Sequence, residues 1–200
     1  PTRRRVSGAL GLGLTAALLA ACGQSGDAAA EPSATAEETT TTPAATEVAT
    51  AKPRLALTYD GGIQVLDADT LEVVSDIELE GFNRLNPAGD NRHVMVSTTG
   101  GFQVLDAGTW TQPHGDHTHS YTADPVLTDV LWPAETPGHA VRHEGRTALF
   151  DDGTGQVTVV DSDALADPDA GTREYTTPSA HHGVAVELTD GTLVVSDGTE

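Results

Sequence analysis

The chain has 200 residues, of which 38% are apolar and 4% aromatic, and 30 acidic residues against 10 basic ones give a formal charge of −20. That balance argues against a nucleic-acid partner, whose affinity rests on neutralising phosphates with Lys and Arg, and favours attraction of cations. Cys22 is the only cysteine, so no disulfide can form within the chain.

Arg3-Arg4-Arg5 opens the chain as a basic region, and Val6 to Ala20 follows as an apolar run rich in small residues. The run is too short for a comfortable membrane span and predicts a signal peptide over residues 1–21. Its end, Leu19-Ala20-Ala21-Cys22, resembles the bacterial lipobox. That likeness implies cleavage before Cys22, lipidation of its sulfur, and a domain held at the outer face of a membrane, periplasmic or extracellular. An ordinary cleavage site beside a spare cysteine is the plainer alternative. Residues 1–21 hold three arginines and no acid, so the processed chain keeps 7 basic and 30 acidic residues, a charge of −23. Residues 22–53 hold Ala, Thr, Glu, Pro, Ser and Gly, with Val48 the single large aliphatic. Such a segment buries too little apolar surface to offset its ordering entropy, and it predicts a disordered tether reaching on the order of 30 Å.

Residues 54–200 carry an internal repeat. Asp60-Gly61-Gly62-Ile63-Gln64-Val65-Leu66-Asp67 is echoed 39 residues later by Thr99-Gly100-Gly101-Phe102-Gln103-Val104-Leu105-Asp106, and a third copy runs from Gly155 through Asp161. Each copy reads as short alternating strands between Gly/Asp turns. The strands expected are 55–59, 63–67 and 72–80, then 92–97 and 102–106, then 140–143, 146–150 and 156–161. Repeats of about 40 residues built from antiparallel strands predict the blades of an all-β propeller; a sandwich of unrelated hairpins would not keep the register. The span holds about three and a half blades, where a closed propeller needs at least four. That count makes the expectation an N-terminal fragment of a longer propeller, and the missing initiator Met suggests that the chain is not the complete product.

Between the second and third copies lies His114-Gly115-Asp116-His117-Thr118-His119, within a turn-rich segment, 113–121, expected to be a flexible loop. Imidazole and carboxylate are the donors that suit Zn(II) and its divalent neighbours. Four of them within six residues can converge with little loop-closure cost. The bland alternative is a solvated polar loop. His117 and His119, two apart on extended backbone, stand about 7 Å apart at Cα and share one side. His139 and His143 share a face of one expected strand but stand about 13 Å apart along it, too far to chelate one ion as a pair. One of them joins the loop site or is structural. His181 and His182 precede Val184–Leu188, an expected innermost strand, where residues line a propeller's channel; they too are metal candidates or turn residues. His143 or His182 is the preferred scaffold histidine, expected to fix the loop's ion or to form a second site. His93 reads as structural, and Asp151-Asp152-Gly153 as a hairpin turn. Met95 is the only methionine, which argues against a Cu(I) thioether site.

Taken together, the acidic exported domain, the segment Pro113–Tyr121 and the run from Pro137 through Gly155 resemble the periplasmic zinc metallochaperones of the AztD type. The resemblance covers residues 54–200. It implies a β-propeller that carries zinc and hands it to the solute-binding protein of an ABC-type zinc importer. It implies His114, Asp116, His117 and His119 as donors of a mobile loop, and His139, His143, His181 and His182 as scaffold candidates. The lipobox at Cys22 departs from it, since a freely diffusing carrier needs no anchor. Two other classes stay open: a lactonase-like metal-dependent hydrolase, for which Glu144 is a candidate base that nothing places near the metal, and a non-catalytic cell-surface interaction propeller. No nucleophile elbow, phosphate-binding loop or His-Glu-x-x-His helix is present to favour an enzyme.

Overall fold

The computed structural model describes residues 44–198. The expected signal peptide, Cys22 and the expected tether up to residue 43 lie outside the described residues. Within them, 16 strands and one 3₁₀ turn, Ser162–Ala164, form five antiparallel sheets.

The repeat becomes a row of blades. Strands β2 (Arg54–Tyr59), β3 (Gly62–Asp67) and β4 (Val73–Glu78) make the first, in the order β2-β3-β4. The second holds β5 (Arg84–Pro87), β6 (His93–Thr98), β7 (Gly101–Asp106) and β10 (Val126–Pro133), in the order β10-β7-β6-β5. The third is β11 (Pro137–His143), β12 (Arg146–Asp151), β13 (Gln156–Asp161) and β14 (Thr172–Thr176). A two-stranded sheet follows, β15 (Ala185–Glu187) with β16 (Leu193–Val195). Two full blades flanked by a three-stranded and a two-stranded sheet come close to the three and a half expected.

The sequence repeat fixes the same ion pair in each of the first three blades. Asp67, Asp106 and Asp161 end β3, β7 and β13, and each meets an arginine at the start of the preceding hairpin: Arg54 at 3.8 Å, Arg92 at 2.6 Å and Arg146 at 3.0 Å. The Asp67 and Asp106 carboxylates also accept backbone N–H groups of the turn that follows, from Asp69 and Thr70 in one case and Gly108 in the other. One aspartate therefore closes the strand and starts the turn, which is why it recurs.

The core lies between the blades. Ile63 and Val65 of the first face Val96 and Leu105 of the second. Met95, Phe102, Val104 and Trp132 of the second meet Leu149, Val160 and Leu165 of the third. Phe150, Val157 and Val159 then pack on Ala185. Each face of a central blade is thus apolar, the pattern of sheets stacked face to face. Asp151, 7% exposed, ties the second blade to the third. It accepts from the backbone N–H of Glu135, Thr136 and Gly153 and from the Thr154 hydroxyl. Burial pushes this carboxyl up, but the four donors together outweigh it and hold it below the ordinary carboxylate value.

Two expectations give way. Residues 113–121, expected as a flexible loop, form a β-hairpin inserted between β7 and β10, with strands β8 (Thr109–His114) and β9 (His117–Thr122). The composition hid it, because Pro, Gln, His and Gly are weak strand formers and only cross-strand pairing makes them extended. The last part of the expected tether is also ordered: β1 (Thr46–Val48) adds to the outer edge of β9, giving the order β1-β9-β8. Three residues carry too little pattern to read as a strand.

Candidate metal centre

The hairpin turns through two residues, Gly115 and Asp116, with His114 paired to His117 across it. Gly115 has φ of 60°, which fits the first central position of a type II′ turn, where glycine is favoured. Cross-strand partners share a face, and residues two apart on a strand do as well. That puts His114, His117 and His119 on one face, with Trp110 and Tyr121 behind them. Trp110 and Tyr121 stack at 5.5 Å between centroids, and the Arg92 guanidinium lies 3.8 Å over the indole. This ladder of rings anchors the hairpin to the second blade.

The three imidazoles converge. His119 Nε2 lies 3.1 Å from His114 Nδ1 and 3.0 Å from His117 Nε2. One ligand atom from each of the three residues falls within a 4.8 Å group. Tetrahedral zinc with Zn–N bonds near 2.0–2.1 Å separates its nitrogens by roughly 3.3 Å, so the triad is close to a ligating arrangement. The other ring nitrogens of His117 and His119 meet carboxylates. His119 Nδ1 donates to Glu47 Oε1 at 2.5 Å, and His117 Nδ1 donates to Asp116 Oδ1 at 3.2 Å. A neutral imidazole donating from Nδ1 carries its lone pair on Nε2. Two such lone pairs then face each other at 3.0 Å, a contact that calls for a proton or a metal cation between them.

Asp116, expected as a direct donor, sits instead against the far nitrogen of His117, on a fully exposed side chain. Its place suits orientation of a ligand, the outer-sphere role common at metal sites. Glu47 plays the same part for His119 and was not foreseen; it lies 72 residues away, inside the expected tether.

The remaining histidines divide. His139 and His182 come together, with Nε2 atoms 3.3 Å apart, and His182 Nδ1 donates to Asp152 Oδ2 at 2.6 Å. Asp152 also accepts the Gly183 N–H. Strand direction puts this pair at the opposite end of the blades from the hairpin. The β5–β6 turn, at the end where β7 leaves for the hairpin, abuts the third blade at Arg142, Ser162 and Thr147. His139 and Asp152 lie at the other end, where β11 begins and β12 turns into β13. His182 therefore does not complete the hairpin site, one of the two roles expected for it, and neither does His139. His181 uses both nitrogens within the scaffold, Nδ1 to the Ser179 carbonyl and Nε2 to the Ser196 hydroxyl, and packs edge-on against Phe150. His143 lines a shallow cavity with Gly89, Arg142, Glu144, Gly145 and Ser162, outside both clusters. His93 is structural, bound to Asp90.

No protein-family model matches the chain. The fold is similar to solved structures of AztD from Citrobacter koseri. The apo form superposes with a TM-score of 0.61 at 18% identity, over 74% of this chain and 45% of that one. A second AztD structure gives 0.58 at 19% identity, over 74% and 43%. The chain thus spans less than half the length of those proteins, and at this identity the likeness establishes a shared all-β propeller fold.

Proposed function

We propose that this protein is an extracytoplasmic zinc carrier that holds the ion on the His114–His117–His119 hairpin and passes it to the solute-binding protein of an ABC-type zinc importer. The observation that carries the reading is the pair of Nε2 lone pairs facing each other beneath two carboxylate-bound imidazoles. Three nitrogen donors leave the fourth tetrahedral position open. A partner's ligand enters there first and the histidines leave one at a time, so zinc is never released free. Imidazole donors let the site empty as protons compete, and a site without thiolates suits an oxidising compartment. In this reading the lipid on Cys22 holds the carrier at the membrane where the importer sits. One acyl chain binds marginally, so at least two are expected, and Cys22→Ala releases the protein from the membrane fraction.

The test is a zinc titration of the His117→Ala/His119→Ala protein against a chromophoric chelator. Zinc binding falls by well over tenfold, about 1.4 kcal/mol or more, while the blades stay folded. Wild-type affinity and undiminished delivery to a solute-binding protein in that variant would sink the carrier reading.

A further inference from the structure

Resting on the hairpin as the zinc site, we infer that Glu47 is a positioning residue for the metal and that docking of strand β1 controls how tightly the hairpin holds it. Glu47 contributes nothing to the inner set of donors. It accepts a hydrogen bond from the His119 Nδ1–H at 2.5 Å, which fixes the tautomer that turns Nε2 toward His114 and His117. His119 is the hub of the triad, in contact with both other imidazoles, so losing its orientation loses the geometry of all three. Outer-sphere partners of this kind are worth 10–100-fold in metal affinity.

The partner carboxylate is delivered by a weakly held element. β1 has three residues, paired Thr46 to Thr122, Glu47 to Tyr121 and Val48 to Ser120. Its side chains are mostly exposed, so the edge pairing and the Glu47–His119 bond are its main attachments. A strand held this way opens locally at small free-energy cost. When it leaves, His119 loses its carboxylate and β9 regains a free edge, a template for another extended segment. A partner that adds its own strand to β9 would displace β1 and weaken the donor set in one motion. Linkage makes the coupling reciprocal: zinc on the hairpin must hold β1 in place by the same free energy with which β1 favours zinc.

The experiment uses the full chain with zinc alone as the probe. Affinity is measured for wild type, Glu47→Ala, Glu47→Gln and His117→Ala/His119→Ala, and amide hydrogen exchange of residues 46–48 is followed with and without zinc. Glu47→Ala is expected to lose 10–100-fold in affinity, and Glu47→Gln, which still accepts the Nδ1–H bond, to recover most of it. Zinc is expected to slow exchange across β1 in wild type and not in Glu47→Ala. If Glu47→Ala binds zinc like wild type while the double histidine variant does not, Glu47 has no positioning role and the hairpin reading stands. If the double variant also binds like wild type, both fall. If Glu47→Ala weakens binding but zinc leaves the β1 amides unprotected in wild type, strand docking is not coupled to the metal and the control by β1 is refuted.

Discussion

The two histidine clusters make a controlled comparison within one fold. At the hairpin, His117 and His119 both donate from Nδ1–H to carboxylates, and two acceptor nitrogens are left facing each other. At the far end of the blades only His182 has a carboxylate, Asp152. His139 is free to donate from Nε2 to the His182 lone pair, so the pair satisfies itself with one hydrogen bond at 3.3 Å. The clusters therefore differ in how many ring nitrogens are committed to carboxylates away from the neighbouring imidazole, two at the hairpin and one at the far end.

The sharpest separation should come from single substitutions. His119→Ala, which removes the hub, is expected to cost about 100-fold in zinc affinity, about 2.7 kcal/mol. His182→Ala should leave the tight site within threefold. Equal losses from the two in a competition titration would erase the distinction.

A slightly smaller effect is expected from Asp151→Ala. It strands four donors at the junction of the second and third blades and should lower stability by about 2 kcal/mol, read from denaturant midpoints. Hairpin zinc affinity should stay within about twofold, because the hairpin hangs from the other end of the sheet. A large loss of zinc binding in this variant would show the two ends to be coupled.

Gly115→Ala comes next. A Cβ at this position meets nothing within 4 Å, so the cost is the backbone strain of φ 60° alone, about 1 kcal/mol. Zinc affinity should fall about fivefold with the donors unchanged; no change would mean that zinc binds without the tight turn.

Acid should resolve two events. Protons displace zinc from imidazole under mildly acidic conditions, with the blades still folded. The folded-state carboxyls of Asp151 and Asp90 are depressed. For Asp90, burial raises the value, but the His93 side chain and the backbone N–H groups of His93 and Arg92 outweigh it. The stability these carboxylates contribute is fully present above the ordinary value of 3.8 and is lost as pH falls through their lower folded values. Zinc release coinciding with loss of the β signal by circular dichroism would contradict the separation.

The blades were legible because their pattern is local and repeated: alternation within each strand, a Gly-bearing turn, and an aspartate in the same register three times. The imidazole cluster of the hairpin was legible too, since His114, His117 and His119 sit within six residues. Their supporting carboxylates were not. Glu47 reaches His119 from 72 residues away and Asp152 reaches His182 from 30, and no pattern of composition or spacing signals a partner that only the stacking of strands brings near. Asp116 is the opposite case: its adjacency to His117 suggested a shared ion, and the structure sets its carboxylate against the far nitrogen of that ring.

The hairpin's attachment has a consequence for engineering. Its base is sealed by the Ala123 N–H to the Gly108 carbonyl, and the blade resumes at once with Val126 opposite Asp106. Residues 108–123 therefore begin and end at neighbouring points and leave the four-strand order of the blade uninterrupted. Such a segment can be cut out and replaced by a short turn, or grafted onto another antiparallel sheet, without asking the host to change its register.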